Sequence, residues 1–309
     1  MINIAFFGSS EYSTPVITAL LIDSRFHLKF IVSKPGMTHY QTLLDGTETQ
    51  LFMPENLKGE NATQIKDQLI QQSIDLALVA DYGLMIPNSM ITTPPHAMVN
   101  IHFSDLPQLR GASPVQYTIL QGKESATFTF LELIPQSEPE MDSGRILYKQ
   151  NHSLSKTETT NQLYTLLFEE AAKVVGDVLS DYVEGKIELQ EQNHNQATFT
   201  TPSGTFDRTT LIKKDDAYIA PSMDDMSIEQ AIRAFSPWPN AWTYLSDLLI
   251  IAQRFDPSIS QIRDKKDLQI RIQLLTAHLN ESGSLVLDEV QADGKKAAAW
   301  KEFKNGYFA

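Results

Sequence analysis

Ile2-Asn3-Ile4-Ala5-Phe6-Phe7-Gly8-Ser9-Ser10 (residues 2–10) opens the chain with an apolar run that stops at a Gly-Ser turn. Such a run reads as a strand buried on both faces. Pro15 then stands at the front of a periodic stretch, Val16, Ile17, Leu20 and Leu21, as helices often begin. The same alternation continues outward. Strands are expected at 28–32, 75–80, 98–103, 127–133 and 144–148, and helices at 61–73, 114–122 and 159–185. Residues 37–59 lack a period and read as loop. Short apolar strands alternating with helices imply an α/β fold with a mostly parallel sheet. Such sheets bind ligands beyond the carboxyl ends of their strands. Two polar loops stand there: Asp81-Tyr82-Gly83-Leu84, and the stretch from His102 to Gly111.

Residues 186–205 are polar, with Pro202 and Gly204, and read as a linker between a domain over 1–185 and another over 206–309. In the second, Ser227 to Phe235 reads as a helix with Ser227 at its N-cap. Short apolar runs follow at 242–245, 248–252, 270–275 and 285–290. They suggest a small β-barrel.

The chain has 309 residues, 42% of them hydrophobic, and no cysteine. Disulfides, thiolate metal sites and cysteine nucleophiles are therefore excluded. The seven histidines lack H-x-x-x-H or H-E-x-x-H spacing, so no metal is expected. No stretch is apolar enough to span a membrane and no signal peptide is visible, so the cytoplasm is the expected compartment. Net charge is −13. Residues 1–205 hold 12 basic and 23 acidic residues, and residues 206–309 hold 13 and 15. Non-specific attraction to nucleic acid is thus unfavourable, least so in the second part. The G-x-G-x-x-G, P-loop and G-x-S-x-G patterns are all absent.

Chemistry concentrates in Val99-Asn100-Ile101-His102-Phe103-Ser104-Asp105-Leu106-Pro107-Gln108-Leu109-Arg110-Gly111. In a strand, Asn100 and His102 point to one face. Asp142, before the Ser143-Gly144 turn, is a candidate third member. A carboxylate beside an imidazole orients the ring and raises its pKa, which suits acid–base work. An asparagine amide can donate to a developing oxyanion. With no plausible nucleophile among them, the three suit acyl transfer without a covalent intermediate.

This segment resembles the N-x-H…S-L-L-P-x-x-R-G…D-x-G pattern of the folate-dependent formyltransferases. Phe6-Phe7-Gly8-Ser9-Ser10-Glu11-Tyr12 and Tyr82-Gly83-Leu84-Met85-Ile86-Pro87 resemble that family as well. Arg233-Ala234-Phe235-Ser236-Pro237-Trp238-Pro239-Asn240-Ala241-Trp242 is similar to a stretch of its methionyl-tRNA formyltransferase branch, as is the ending from Gly294 to Phe303. As physics, the two tryptophans are expected to be core aromatics.

The resemblance implies a Rossmann-like catalytic domain followed by an OB-like barrel. It implies 10-formyltetrahydrofolate as co-substrate and no metal. Asn100, His102 and Asp142 would be catalytic. Tyr82, Gly83, Leu84, Ile86, Pro87, Ser104, Asp105, Leu106 and Pro107 would bind the folate, its pterin lying between the 82–87 loop and Asp142. The acceptor would be methionyl-initiator tRNA and the enzyme a monomer.

Some positions depart from the pattern. Asp105 stands where the family usually has Leu. Gln108 and the acidic 137–140 stretch are also unusual. The long basic loop that reaches the tRNA is replaced by residues 34–57, where Lys34 is the sole basic residue among Asp45, Glu48 and Glu55. Phosphate contacts would then fall to Arg208, Lys213, Lys214, Lys265, Lys266, Lys295, Lys296, Lys301 and Lys304. An amino-sugar nucleotide as acceptor, hydrolysis of the formyl donor, and a non-catalytic folate- or RNA-binding role stay open as alternatives.

Overall fold

The computed structural model describes residues 1–135, 141–200, 211–263 and 266–309. They form two compact units. The first comprises the described residues among 1–114, 125–153 and 164–210, and the second those among 115–124, 154–163 and 211–309.

The first unit is built on a seven-stranded sheet of β1 (Ile2–Phe7), β2 (Phe26–Val32), β3 (Gln50–Phe52), β4 (Leu76–Ala80), β5 (Met98–His102), β6 (Ser125–Leu133) and β7 (Ile146–Ser153). Their order is β3-β2-β1-β4-β5-β6-β7. The first five are parallel, while β6 and β7 run antiparallel to their neighbours. A strand covered on both faces must be apolar at successive positions. All five residues of β4 are accordingly buried, as are Ile4 to Phe7 of β1.

Helices α1 (Thr14–Ile22), α2 (Thr38–Leu43), α3 (Gly59–Gln71), α4 (Asn88–Ile91) and α6 (Thr160–Val183) connect and extend the strands, while α5 (Pro114–Leu120) falls almost wholly in the second unit. The strand order turns around at β1, whose two parallel neighbours are β2 and β4. Loops at such carboxyl ends are the expected place for a ligand. Gly8 fits there because a Cβ would meet the Ala80 carbonyl 2.9 Å away, where the backbone cannot give.

The second unit contains α7 (Asp225–Ala234), β8 (Ala241–Tyr244), α8 (Leu245–Phe255), β9 (Arg271–Leu279), β10 (Leu285–Ala292), β11 (Ala298–Ala299) and α9 (Trp300–Tyr307). The barrel read from the sequence takes the form of an antiparallel sheet, β11-β10-β9-β8. Ile228, Ile232, Leu248, Ile251, Ile272, Leu287 and Phe303 share its core.

Four local expectations are corrected. Residues 37–59 hold α2 and β3, each too short to show a period. The run 248–252 belongs to α8, whose buried Leu245, Leu248, Ile251 and Ala252 recur at helical spacing. Asp224, not Ser227, caps α7, its carboxylate accepting the Ser227 N–H at 2.8 Å. Of the two tryptophans, Trp242 is buried but Trp238 is 54% exposed. Trp242 donates its indole N–H to the Lys214 carbonyl at 2.8 Å and lies under the Arg271 guanidinium, 4.3 Å from the ring centre.

Residues 186–200, read as linker, are counted with the first unit and pair with it closely. The N–H and C=O of Gln190 both bond to Ile146, and Thr198 and Thr200 flank Arg110. Positions 201–205 lie outside the described residues.

Candidate active site

Asn100 and His102 end β5 on one face, as the two-residue period requires. His102 is buried, and its Nε2 lies 2.9 Å from the Leu109 carbonyl. A carbonyl only accepts, so Nε2 carries the proton. Nδ1 faces the Asp142 carboxylate, 3.6 Å from Oδ2. Both ring nitrogens thus look at acceptors. The Asn100 amide donates to Asp142 Oδ1 at 3.4 Å. Three side chains spread over 42 residues of sequence therefore come together.

Asp142 is held there by its backbone. Its φ is +53°, a region that costs a non-glycine residue of the order of 1 kcal/mol. Its Oδ2 accepts the Gly111 N–H at 2.8 Å, which ties the 141–145 loop to the loop after β5. Gly144 is required two residues later, because a Cβ there would run into the Glu132 carbonyl of β6. Glu132 is itself buried and held by Arg145 at 2.6 and 3.0 Å and by the Tyr182 hydroxyl at 2.7 Å.

The loop after β5 is closed on itself. Ser104 is buried, donates to the Gln108 carbonyl at 2.6 Å, and receives Thr129 Oγ1 on its own carbonyl at 2.7 Å. Leu106 is fully buried against Leu131 and Ile146. Asp105 is exposed and pairs with Lys149 Nζ at 2.8 Å, and the same ammonium donates to the Leu106 carbonyl. The unusual carboxylate is thereby neutralised from β7. Pro107 offers its carbonyl to the Thr198 N–H at 3.2 Å.

The loop after β4 is different. Tyr82 is buried edge-on against Phe7, and its hydroxyl has no partner among the described residues. Burial alone raises its phenol pKa. Gly83 has φ +67°, and the Lys34 side chain occupies the space a Cβ would need. Leu84, Ile86 and Pro87 line a cavity of about 280 Å³ with Asn56, Leu57, Lys58, Met85 and Asn88. Asp142 is not part of that lining. Asp81 keeps an exposed surface, yet the protein crowded around its carboxyl raises its pKa, against a Ser10 hydrogen bond and the Lys34 charge.

Sequence reasoning missed the residues that brace the site. Arg110 is 1% exposed and directs Nε and Nη2 to Gln192 Oε1 at 3.2 and 2.7 Å, with Nη2 also 3.1 Å from His194 Nδ1. Leu109 N–H donates to Thr198 Oγ1 at 2.9 Å. The alternation Ala197-Thr198-Phe199-Thr200 was the one local signal that this stretch pairs as an extended segment.

Among the described residues, no group of three or more His, Asp or Glu is placed to hold a metal ion, and no helix is long and apolar enough to cross a membrane. Of the basic side chains read as a phosphate face, Arg208 and Lys265 lie outside the described residues. Lys304 is paired with Asp256, and Lys266 sits over the Tyr307 ring at 4.2 Å. Lys213, Lys214, Lys295, Lys296 and Lys301 are exposed.

A mostly parallel sheet with polar residues converging at its carboxyl ends, followed by an antiparallel unit, defines the class. The formyl transferase model matches residues 3–179 and the formyl transferase C-terminal domain model matches residues 211–307. The chain belongs to the formyl transferase family and is an enzyme of it.

Within that family, it is 25% identical over 322 residues to the methionyl-tRNA formyltransferase of Legionella pneumophila (strain Paris), covering 98% of this chain and 95% of that one. The structure of methionyl-tRNA formyltransferase from Clostridium thermocellum superposes with a TM-score of 0.56 at 17% identity, covering 94% of this chain and 99% of that one. A sugar N-formyltransferase from Shewanella sp. FDAARGOS_354 gives 0.60 at 13% identity, covering 96% and 100%. At those identities the two structures speak for the fold.

Proposed function

We propose that this enzyme transfers a formyl group from 10-formyltetrahydrofolate to the α-amino group of methionyl-initiator tRNA. The observation that carries the reading is the convergence of Asn100, His102 and Asp142 on one point. The full-length likeness to a methionyl-tRNA formyltransferase supports the acceptor.

In this reading the cavity walled by Leu84, Ile86 and Pro87 takes the folate, apolar walls suiting the faces of a flat ring and Asn56 and Asn88 its polar edge. Tyr82 and Gly83 shape that loop from beneath. Ser104, Asp105, Leu106 and Pro107 serve as the rigid floor of the neighbouring loop. When bound, the folate supplies an activated formyl carbon to a neutral amine. Asn100 donates its amide N–H to the oxygen that gains charge, and protonated His102, its ring nitrogens held by the Leu109 carbonyl and Asp142, stabilises that oxygen by its positive charge. Asp142 holds the imidazole and helps to pass the proton lost by the amine to N10 of the folate, which leaves as tetrahydrofolate when its bond to the formyl carbon breaks. Lys213, Lys214, Lys295, Lys296 and Lys301 are the cations left to meet phosphates, and the chain works as a monomer in the cytoplasm. Residues 1–185 carry the catalytic domain, with 186–200 paired to it rather than serving as a free connection, and 206–309 are the second domain.

One observation favours a second acceptor. Asp45, Glu48 and Glu55 are exposed in the 34–57 stretch, where a phosphate-rich acceptor stem would be repelled. An amino-sugar nucleotide, smaller and less charged, would tolerate that stretch. The test is formyl transfer to charged initiator tRNA and to a panel of amino-sugar nucleotides in parallel. The proposal expects tRNA to be formylated, with binding that weakens steeply from low to moderate salt. Transfer to the sugars alone, with no salt-dependent tRNA binding, would overturn it.

A further inference from the structure

We infer that Gln192 is a positioning residue for the formyl-transfer site, joining the loop that carries Asp142 to the loop that anchors His102. Its side-chain amide is 50 residues away from Asp142 in sequence, and all four of its hydrogen-bonding positions are used. Nε2 donates to the carbonyls of Asp142 at 2.8 Å and Gly144 at 2.7 Å. Oε1 accepts from Arg110 Nε at 3.2 Å and Nη2 at 2.7 Å.

The amide can sit only one way round. Carbonyls only accept and a guanidinium only donates, so a flipped amide would set like against like on both sides. The residue is 5% exposed, so water cannot take over these bonds without the loops parting.

Each bond reaches the chemistry by one step. The Asp142 carbonyl belongs to a residue whose φ of +53° is costly, and a donor on that carbonyl helps to keep it there. Asp142 in turn presents Oδ2 to His102 Nδ1 at 3.6 Å. On the other side Arg110 follows Leu109, whose carbonyl receives His102 Nε2 at 2.9 Å. The backbone of Arg110 is also paired with Thr198 and Thr200, so the guanidinium and the chain beside it are fixed to one segment. Gln192 therefore spans the partners of both ring nitrogens of His102. Glutamine is the side chain for this place because it has one accepting end and one donating end at the required length. Glutamate keeps the Arg110 contact, with a charge added, but turns an acceptor against two carbonyls.

Gln192→Glu is the informative substitution, since its ion pair with Arg110 maintains folding while the 141–145 loop loses its donor. With the formyl donor and acceptor, kcat should fall by about 10- to 100-fold, the scale of a misplaced catalytic group. The donor KM should stay within about twofold, because the cavity lined by Leu84 and Ile86 is untouched. Gln192→Asn, which has both ends but a shorter reach, should recover part of the loss. Asn195→Ala, an exposed change in the same segment, is the control.

The kinetic half of this inference rests on the formyl-transfer reading, so a second measurement needs no substrate. The imidazole nitrogen resonances of His102, assigned by their loss in His102→Gln, should shift in Gln192→Glu and stay in Asn195→Ala. A Gln192→Glu protein with unshifted His102 resonances and wild-type kcat would overturn the inference. Shifted resonances in a chain that formylates no acceptor would uphold Gln192 as the brace and refute the reaction instead.

Discussion

Two loops at the same edge of one sheet are built on opposite terms. The loop after β5 is saturated: Ser104, Asp105, Leu109, Arg110 and Gly111 each have a hydrogen-bond or ion-pair partner. The loop after β4 has a buried hydroxyl with no partner among the described residues, a crowded carboxyl and an open cavity. Such a contrast separates two tasks. Groups that stabilise a transition state gain from being fixed in advance. A loop that receives a ligand must keep space, and tolerates the cost of a polar atom left alone.

The largest effect should come from the groups that the fixed loop braces. Asn100→Ala and Asp142→Ala should each lower kcat by at least ~100-fold, the size of an oxyanion or acid–base contribution, with the donor KM little changed. Steady-state kinetics on both substrates check this. Loss confined to KM would place these residues in binding and erase the contrast between the loops.

The open loop should answer in the other parameter. Ile86→Asp sets a charge in the cavity wall and should raise the donor KM by about 10-fold or more, as burial of an unpaired charge beside an apolar ligand requires. A change in kcat alone would mean that the cavity is not where the donor sits.

Tyr82→Phe removes a buried hydroxyl that has no partner among the described residues. It should be neutral or stabilising by about 1 kcal/mol in denaturant unfolding, because no hydrogen bond is lost. Destabilisation beyond that would reveal a partner for the hydroxyl.

Asp81 gives the smallest effect, and a pH-dependent one. Its folded pKa is raised by crowding, so folding favours the protonated carboxyl. Stability should decline as pH rises from the ordinary carboxylate range through the raised value, and stay level above it. Asp81→Asn should flatten that decline in thermal unfolding measured across acidic pH. An unchanged slope would show that another group sets it.

Legibility followed the length of the pattern. β4 is a continuous apolar run and β1 is broken only by Asn3, and both were readable because Ile4 to Phe7 and all of β4 are buried. The stretch Leu248-Leu249-Ile250-Ile251-Ala252 is equally apolar, and a run that short does not separate a strand from a helix. Only the burial of Leu245 and Leu248, three apart, decides it. Within the site, Asn100 and His102 were legible through the two-residue period, and Asp142 through the turn that follows it. Gln192 was not, because its partners are backbone carbonyls 48 and 50 residues away, which leave no mark on neighbouring positions. Lys149, which offsets Asp105, was hidden for the same reason.

The most direct measurement is single-turnover transfer of labelled formyl from 10-formyltetrahydrofolate to methionyl-initiator tRNA, comparing the wild-type chain with His102→Ala. The account predicts labelled formyl-methionine in the tRNA fraction from the wild type, at a rate at least ~100-fold above the variant. Equal rates for the two proteins would contradict it.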